Sequence, residues 1–563
     1  MQLITRHTRR DLWIFFGLAL LVVGSGIGLR DPWPADEPRF ALVARTMVES
    51  GDWLFPHRGD ELYSDKPPMF MWLQAAAYSV LREWRIAFLL PSLLAALGTL
   101  WLTYDIGRRL RGHSIGLYGG YALLFALQFA WQFKKAQIDP VVVFFITLAN
   151  WGLLQHFLLG PDTRRLYLGW FAAGLGTITK GVGAIALLMG LPYLFARWRG
   201  WRGLAPAARG HAWVAAPLLF VAAAALWLLP MLLAVWRSDD PALHAYADDI
   251  LLRQTAERYA KSWDHHQPAW YFVQVALTMW MPLVLALPWA LPAWWRRLRR
   301  RDARTLLPLA WVLLVLLFFS IPDGKRDLYI LPALPMFCVA LGPLLPGLLR
   351  KRALRWLVFG FVVLFGLVPL AAGTAALLGE PRFESRLALE RGFAADFYAP
   401  WWMLATLGAA VLACAAWFRP RRAIAALLCS LTLAWCVVGL WAQPMLDASS
   451  SARELMQDVG RLIGPDAELG LVAWREQNLL QADRPATTFG FKRPFREQKR
   501  AAIAWLAEAP SSRRVLIQET AMGDCVDPAR AVRVGQANRR TWWVFGMEAV
   551  TVSCRPAAGD PAR

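Results

Sequence analysis

Apolar runs of roughly 18 to 25 residues, separated by short polar stretches, recur from the N-terminus to about Met445. Each is long enough to carry a helix across about 30 Å of hydrocarbon. They begin near Leu12, Ile86, Ile115, Ile138, Leu166, Gly181, Ala212, Trp270, Leu306, Leu328, Leu354, Pro400 and Ala423, which predicts about thirteen spans. The first follows Arg6-His7-Thr8-Arg9-Arg10 and is succeeded by Asp31-Pro32-Trp33-Pro34 instead of a small-x-small cleavage site, so it reads as a retained span. From Asp447 the pattern changes. Helical periodicity over Ala452 to Ile463 and Arg496 to Glu508 alternates with strand-like runs at Leu469 to Trp474, Arg514 to Gln518 and Thr541 to Met547. This divides the chain into a transmembrane domain over 1–446 and a small soluble α/β domain over 447–563.

Composition fixes the solvent. The chain is 57% apolar and 18% charged, with a mean hydropathy of +0.36, so most of it must be surrounded by lipid. The net charge of +21 does not indicate nucleic acid, because the cations sit in short clusters between apolar runs. Those clusters occupy alternate connections: Arg108 to Arg111, Arg164-Arg165, Arg197 to Arg209, Arg296 to Arg304, Arg350 to Arg355 and Arg419 to Arg422. By the positive-inside rule they are cytoplasmic, together with the N-terminus. The loops over 30–85, 237–268 and 379–399 and the C-terminal domain then face outward. On that face topogenesis requires none of Lys134-Lys135, Lys180 or Lys325-Arg326, so these cations point to something anionic. In the first loop, Pro38 to Ser50 reads as an amphipathic helix with Phe40, Val43, Met47 and Val48 on one face, lying along the membrane surface.

Candidate chemistry gathers on the outward side. Asp36-Glu37-Pro38-Arg39 opens the first loop, where either acid could also cap the helix that follows. Tyr63-Ser64-Asp65-Lys66-Pro67-Pro68 sets an acid and an amine beside a stiff diproline, Asp139-Pro140 starts a span, and Lys180-Gly181 forms a short turn. Arg258, His265 and His266 precede Trp270-Tyr271, and Asp323-Gly324-Lys325-Arg326-Asp327-Leu328-Tyr329 completes the set. Taken singly, each has an ordinary account as a cap, a turn or a snorkelling cation. Cys338, Cys414, Cys429 and Cys436 lie in apolar runs and read as packing residues, whereas Cys525 and Cys554 could pair in an oxidising compartment.

Together these motifs resemble the bacterial lipid A 4-amino-4-deoxy-L-arabinose transferases, within the wider polyprenol-dependent, protein-mannosyltransferase-like membrane enzymes. The resemblance is carried by Asp36-Glu37-Pro38-Arg39-Phe40, Ser50-Gly51-Asp52-Trp53, Pro56-His57 and Asp65-Lys66-Pro67-Pro68, and continues through Ile138-Asp139-Pro140, Thr179-Lys180-Gly181, His265 to Tyr271 and Gly324 to Pro332. It implies an α-helical polytopic membrane fold of the glycosyltransferase C type, with outward juxtamembrane helices and a C-terminal periplasmic domain. Carried over residue by residue, it makes Asp36 the principal catalytic carboxylate and Asp139 a second essential acid. Glu37, Arg39, Tyr63, Lys66, Lys180, Arg258, Lys325 and Tyr329 would meet the donor and its phosphates. Asp65 and His265 would hold a divalent metal, zinc, with no nucleotide cofactor. The family usually carries Glu at Asp65, often Tyr at Phe40, and commonly a proline within Arg326-Asp327-Leu328.

The implied reaction moves a sugar from an undecaprenyl-phosphate carrier to a periplasmic acceptor, aminoarabinose to a lipid A phosphate in the first place, in the inner membrane. That is the modification associated with polymyxin resistance. A close alternative passes mannose or another sugar to protein or glycan. A rival from another class, a flippase for a lipid-linked substrate, predicts ionisable groups near the membrane midplane, whereas here the acids gather at the outward ends of spans.

Overall fold

The computed structural model describes residues 6–206, 210–252, 266–379 and 397–555. Its body is a bundle of apolar helices. Among the described residues, seven helices are long and apolar enough to cross a membrane, or nine if two bent pairs, His113–Leu124 with Leu127–Phe133 and Tyr271–Met279 with Leu283–Arg299, each count as one span. The remaining four expected positions hold shorter or more charged pieces. Arg6–Gly24 and Thr163–Lys180 begin with arginines. Gly183–Met189 is a 3₁₀ stretch that runs into the helix Gly190–Trp198, and the segment after Asp327 is broken into Asp327–Ile330, Ala333–Leu341 and Leu345–Leu348. Pro332, Pro335, Pro343 and Pro346 in that last stretch interrupt the helical hydrogen-bond ladder, which continuous hydropathy does not reveal.

Burial separates centre from periphery. The most apolar window of Ile138–Leu158 is 78% buried against protein, whereas those of Gly210–Trp236 and Arg352–Leu377 are 28% and 22% buried. The last two present leucines and valines such as Leu218, Leu229, Leu364 and Val368 outward, as a lipid-facing rim requires. Glycines allow the tightest crossings: a Cβ at Gly152 would come within 2.4 Å of the Arg165 carbonyl oxygen, so the antiparallel pair Ile138–Leu158 and Thr163–Lys180 can meet only with glycine there. That close pairing places the start of one helix beside the end of the other.

The helix Glu37–Ser50 replaces the amphipathic helix expected from Pro38, ending at Gly51 in the left-handed conformation. It does not lie open on a membrane surface. Phe40, Val43 and Met47 pack into the core of the membrane body, while Leu42 joins a separate cluster with Leu455, Met456, Trp474 and Trp542 of the soluble domain. The helix is thus sandwiched between the two. After it come a two-residue hairpin, β1 His57–Arg58 and β2 Glu61–Leu62, and the helix Met69–Leu81.

The last membrane-side helix continues to Ser451, and Ala452, at φ 62°, turns the chain into the helix Arg453–Ile463. A five-stranded sheet follows, formed by β3 Glu468–Val472, β4 Ala486–Thr488, β5 Arg513–Gln518, β6 Val532–Ala537 and β7 Arg540–Phe545, in the order β4-β3-β5-β7-β6. β3 runs parallel to β4 and β5, and β7 antiparallel to β5 and β6. The helix Phe495–Glu508 covers it. Cys525 and Cys554 form a disulfide with Cα atoms 5.5 Å apart.

Candidate active site

Two acidic centres form, each at the start of a helix. Asp36 stands at the entry of Glu37–Ser50, but its side chain caps no backbone amide. Its carboxylate faces two cations instead: Arg39 Nη1 at 3.7 Å and Arg326 Nη2 at 3.4 Å. Capping is therefore not what holds Asp36, and its oxygens remain partly open to solvent. Asp139, in the first turn of Ile138–Leu158, pairs with Lys180 at the end of the adjoining helix. The same ammonium lies 5.3 Å from the centre of the Tyr329 ring, a cation–π geometry. Arg326 and Tyr329 belong to one short stretch, so a single loop touches Asp36 and the Lys180 ammonium that pairs with Asp139.

That loop is held from several sides. Gln128 donates to the Asp327 carbonyl at 2.7 Å and Gln132 to its carboxylate at 3.3 Å. Lys325 is buried and donates to the Gln267 carbonyl at 2.9 Å, next to a bridge pairing His266 with Gly324. Its placement fastens the segments at Gln267 and Gly324 together. Tyr63 is buried with no hydrogen-bond partner on its hydroxyl among the described residues, and burial, followed by the nearby Asp65 carboxylate, pushes its pKa well above that of a free tyrosine. It is therefore a proton donor throughout the physiological range. Lys66 donates to the Asp65 carbonyl at 2.7 Å. Ser64, between Tyr63 and Asp65, hydrogen-bonds Asp249 at the end of Pro241–Asp248, which ties the first and second long loops together.

Glu37 does something other than meet substrate. Its Oε1 accepts from Arg30 at 2.7 Å and the Ala136 amide at 2.8 Å, and its Oε2 from Arg30 at 2.5 Å and the Trp33 amide at 2.8 Å. Four donors fill the four sites of a carboxylate, so Glu37 is a buried knot tying the end of the first span to the segment before Ile138–Leu158. Lys134, expected to face an anion, is likewise buried, donating to the carbonyls of Val22 at 3.0 Å and Ser25 at 2.7 Å to finish the first helix. Lys135 keeps its ammonium 4.0 Å over Trp131. Arg258 and His265 lie outside the described residues. Among those described, no group of three His, Cys, Asp or Glu side chains assembles as a metal site, so Asp65 is the one described donor of the expected pair.

Arg326, noted in the sequence only as a cation beside Lys325, is the contact to Asp36 that residue-level reading missed. Glu476 was missed entirely. From the soluble domain it reaches Arg39 Nε at 2.9 Å and Arg58 Nη1 at 3.6 Å, and no local pattern in the tail announces it.

A many-helix body, a helix packed between it and an appended α/β domain, and paired acids at helix starts define the architecture of a multi-pass membrane protein. Residues 65–230 match the family described as dolichyl-phosphate-mannose-protein mannosyltransferase. The chain is similar to the undecaprenyl phosphate-alpha-4-amino-4-deoxy-L-arabinose arabinosyl transferase of Pseudomonas aeruginosa (strain UCBPP-PA14), 29% identical across 92% of this chain and 94% of that one. It is also similar to the enzyme of that name from Pectobacterium carotovorum, 29% identical over 65% of each. It shares its fold with ArnT from Cupriavidus metallidurans bound to undecaprenyl phosphate, at a TM-score of 0.72 and 19% identity over 97% of this chain and 99% of that one. The resemblance read from the motifs thus extends across nearly the whole chain.

Proposed function

We propose that this enzyme transfers 4-amino-4-deoxy-L-arabinose from undecaprenyl phosphate to a phosphate of lipid A on the periplasmic face of the bacterial inner membrane. The observation that carries the reading is the 326–329 loop, where Arg326 pairs with Asp36 and the Tyr329 ring faces Lys180, the partner of Asp139. The names of the relatives supply the donor and the sugar. The disulfide of the tail fits an oxidising compartment on that side.

The leaving group is already a phosphate, so catalysis consists of stabilising its charge as it departs and presenting the acceptor on the opposite face of the anomeric carbon. One displacement inverts that carbon. The acceptor oxygen forms its bond to the sugar as the bond to the carrier phosphate breaks. A lipid A phosphate, with a second pKa of about 6, is largely ionised beforehand, so Asp36 orients it and takes up its last proton. Arg326 and Arg39 limit charge repulsion between Asp36 and the acceptor, Lys180 with Lys66 lies toward the departing phosphate, and Tyr63 donates a hydrogen bond to it. Asp65, with His265, would hold a divalent ion that adds positive charge near the donor.

Mass spectrometry of lipid A from cells with and without the gene tests this. A pentosamine on the lipid A phosphate, restored by the gene, is the expected result. A missing hexose on protein or glycan would redirect the reading to another acceptor.

A further inference from the structure

We propose that Glu476, carried by the soluble domain, is a positioning residue of the transfer site: by fixing the Arg39 guanidinium it sets the stance of Asp36. This rests on the reading of Asp36 as the reacting carboxylate. Glu476 begins the short helix Glu476–Leu480, and its side chain is only 5% exposed. Burying a carboxylate is costly unless cations and hydrogen bonds meet it, and here two guanidiniums do. Arg39 Nε lies at 2.9 Å and Arg58 Nη1 at 3.6 Å. Arg58 is in turn clamped, its guanidinium carbon 3.7 Å from the Phe491 ring centre and 5.7 Å from that of Tyr63.

The geometry at Arg39 is divided. Its Nε edge is taken by Glu476, and Nη1 stands 3.7 Å from Asp36, beyond hydrogen-bond length. A guanidinium with five donors in a rigid fork, held by one edge, cannot turn to close a two-pronged pair with a second acid. Glu476 thus keeps Arg39 near Asp36 without letting it occupy both carboxylate oxygens. Two further contacts hold the short helix against Glu37–Ser50: Arg45 donates to the Leu480 carbonyl at 2.9 Å, and Leu42 packs into the cluster around Trp474. A separate latch, Arg453 to Asp31 at 2.5 Å, fastens the domain elsewhere. The soluble domain is therefore a wall of the site and not merely an appendage.

The test compares purified full-length Glu476→Gln, Arg39→Gln, the double variant and Arg453→Gln. We expect Glu476→Gln to lower kcat about tenfold with donor KM changed less than twofold, and the double variant to be no slower than Arg39→Gln, the behaviour of two residues acting as one unit. Arg453→Gln, which loosens the domain without touching Arg39, should keep kcat per folded molecule. Carbodiimide labelling of Asp36, read by peptide mass with Asp36→Asn as the blank, gives a readout that needs no substrate. It should fall several-fold in Glu476→Gln, because the released Arg39 closes on Asp36. Unchanged labelling, or independent multiplicative losses in the double variant, would overturn the inference. A labelling shift in a protein that fails to move aminoarabinose would overturn the functional reading alone.

Discussion

Arg326 reaches Asp36 across 290 residues of sequence, with Nη2 3.4 Å from Oδ2. The span between them contains most of the membrane body, so the pair exists only when the bundle has closed. It also means that the acid proposed to orient the acceptor is balanced by a cation on a loop, at a distance long enough for an incoming phosphate to compete for that cation.

From this follows the first prediction. Asp36→Asn keeps shape and removes charge, so transfer by the purified enzyme should fall at least 10²-fold, the lower end of what a general base contributes, roughly 10²–10⁴. Arg326→Ala, which removes a longer contact, should cost about tenfold, the equivalent of roughly 1.4 kcal/mol. Both proteins should insert and accumulate normally. Full activity in Asp36→Asn would remove that residue from the chemistry.

Glu37 calls for the opposite readout. Removing a carboxylate that neutralises buried Arg30 leaves that charge uncompensated, a loss of about 3–5 kcal/mol for a buried pair. Glu37→Ala should therefore lower the thermal unfolding temperature and the yield of folded protein in detergent. Whatever fraction does fold should still turn over. Normal stability with lost activity would instead restore Glu37 to the substrate.

Much of this organisation is legible in the chain. Apolar run length locates the membrane helices because the bilayer imposes it, and the alternation after Leu469 marks three of the five strands. β4 and β6 escape notice: Ala486–Thr488 is three residues long, and Val532–Ala537 contains a glycine beside an irregular register. At the site, Asp139 and Lys180 stand out as charges at span ends, since an ionisable group there needs a reason. Asp36 and Glu37 show the limit. They are adjacent acids of nearly the same chemistry, and only the folded positions of Arg30, Trp33 and Ala136 decide that one is consumed internally while the other faces outward. Glu476 is hidden for the same reason, because its partners lie more than 400 residues away.

The disulfide offers a test of compartment as well as stability. Cys525 and Cys554 are 29 residues apart, and closing a loop of that size stabilises a domain by about 3.6 kcal/mol where geometry is unstrained. Replacing both by serine should lower the unfolding temperature of the soluble domain, followed by limited proteolysis. In untreated cells neither thiol should react with a membrane-impermeant maleimide until a reductant is added. After reduction both should label from outside, and labelling only after the inner membrane is breached would reverse the assigned topology.

Tyr63 separates binding from folding. Its hydroxyl is buried without a partner among the described residues, a state that costs about 1–3 kcal/mol when nothing satisfies the group. Tyr63→Phe removes that cost, so the variant without substrate should be as stable as the parent or more so. With donor present the sign reverses. A hydrogen bond from a phenol to a charged phosphate contributes about 1.5–3 kcal/mol, so the donor KM should rise at least tenfold. The phenol stays protonated because burial and the neighbouring Asp65 both resist its ionisation, so the KM ratio of parent to variant should remain flat from pH 6 to about pH 9, within the range where a free tyrosine is still neutral. A stability loss without a KM change would assign Tyr63 to packing, leaving the donor phosphate to the cations alone.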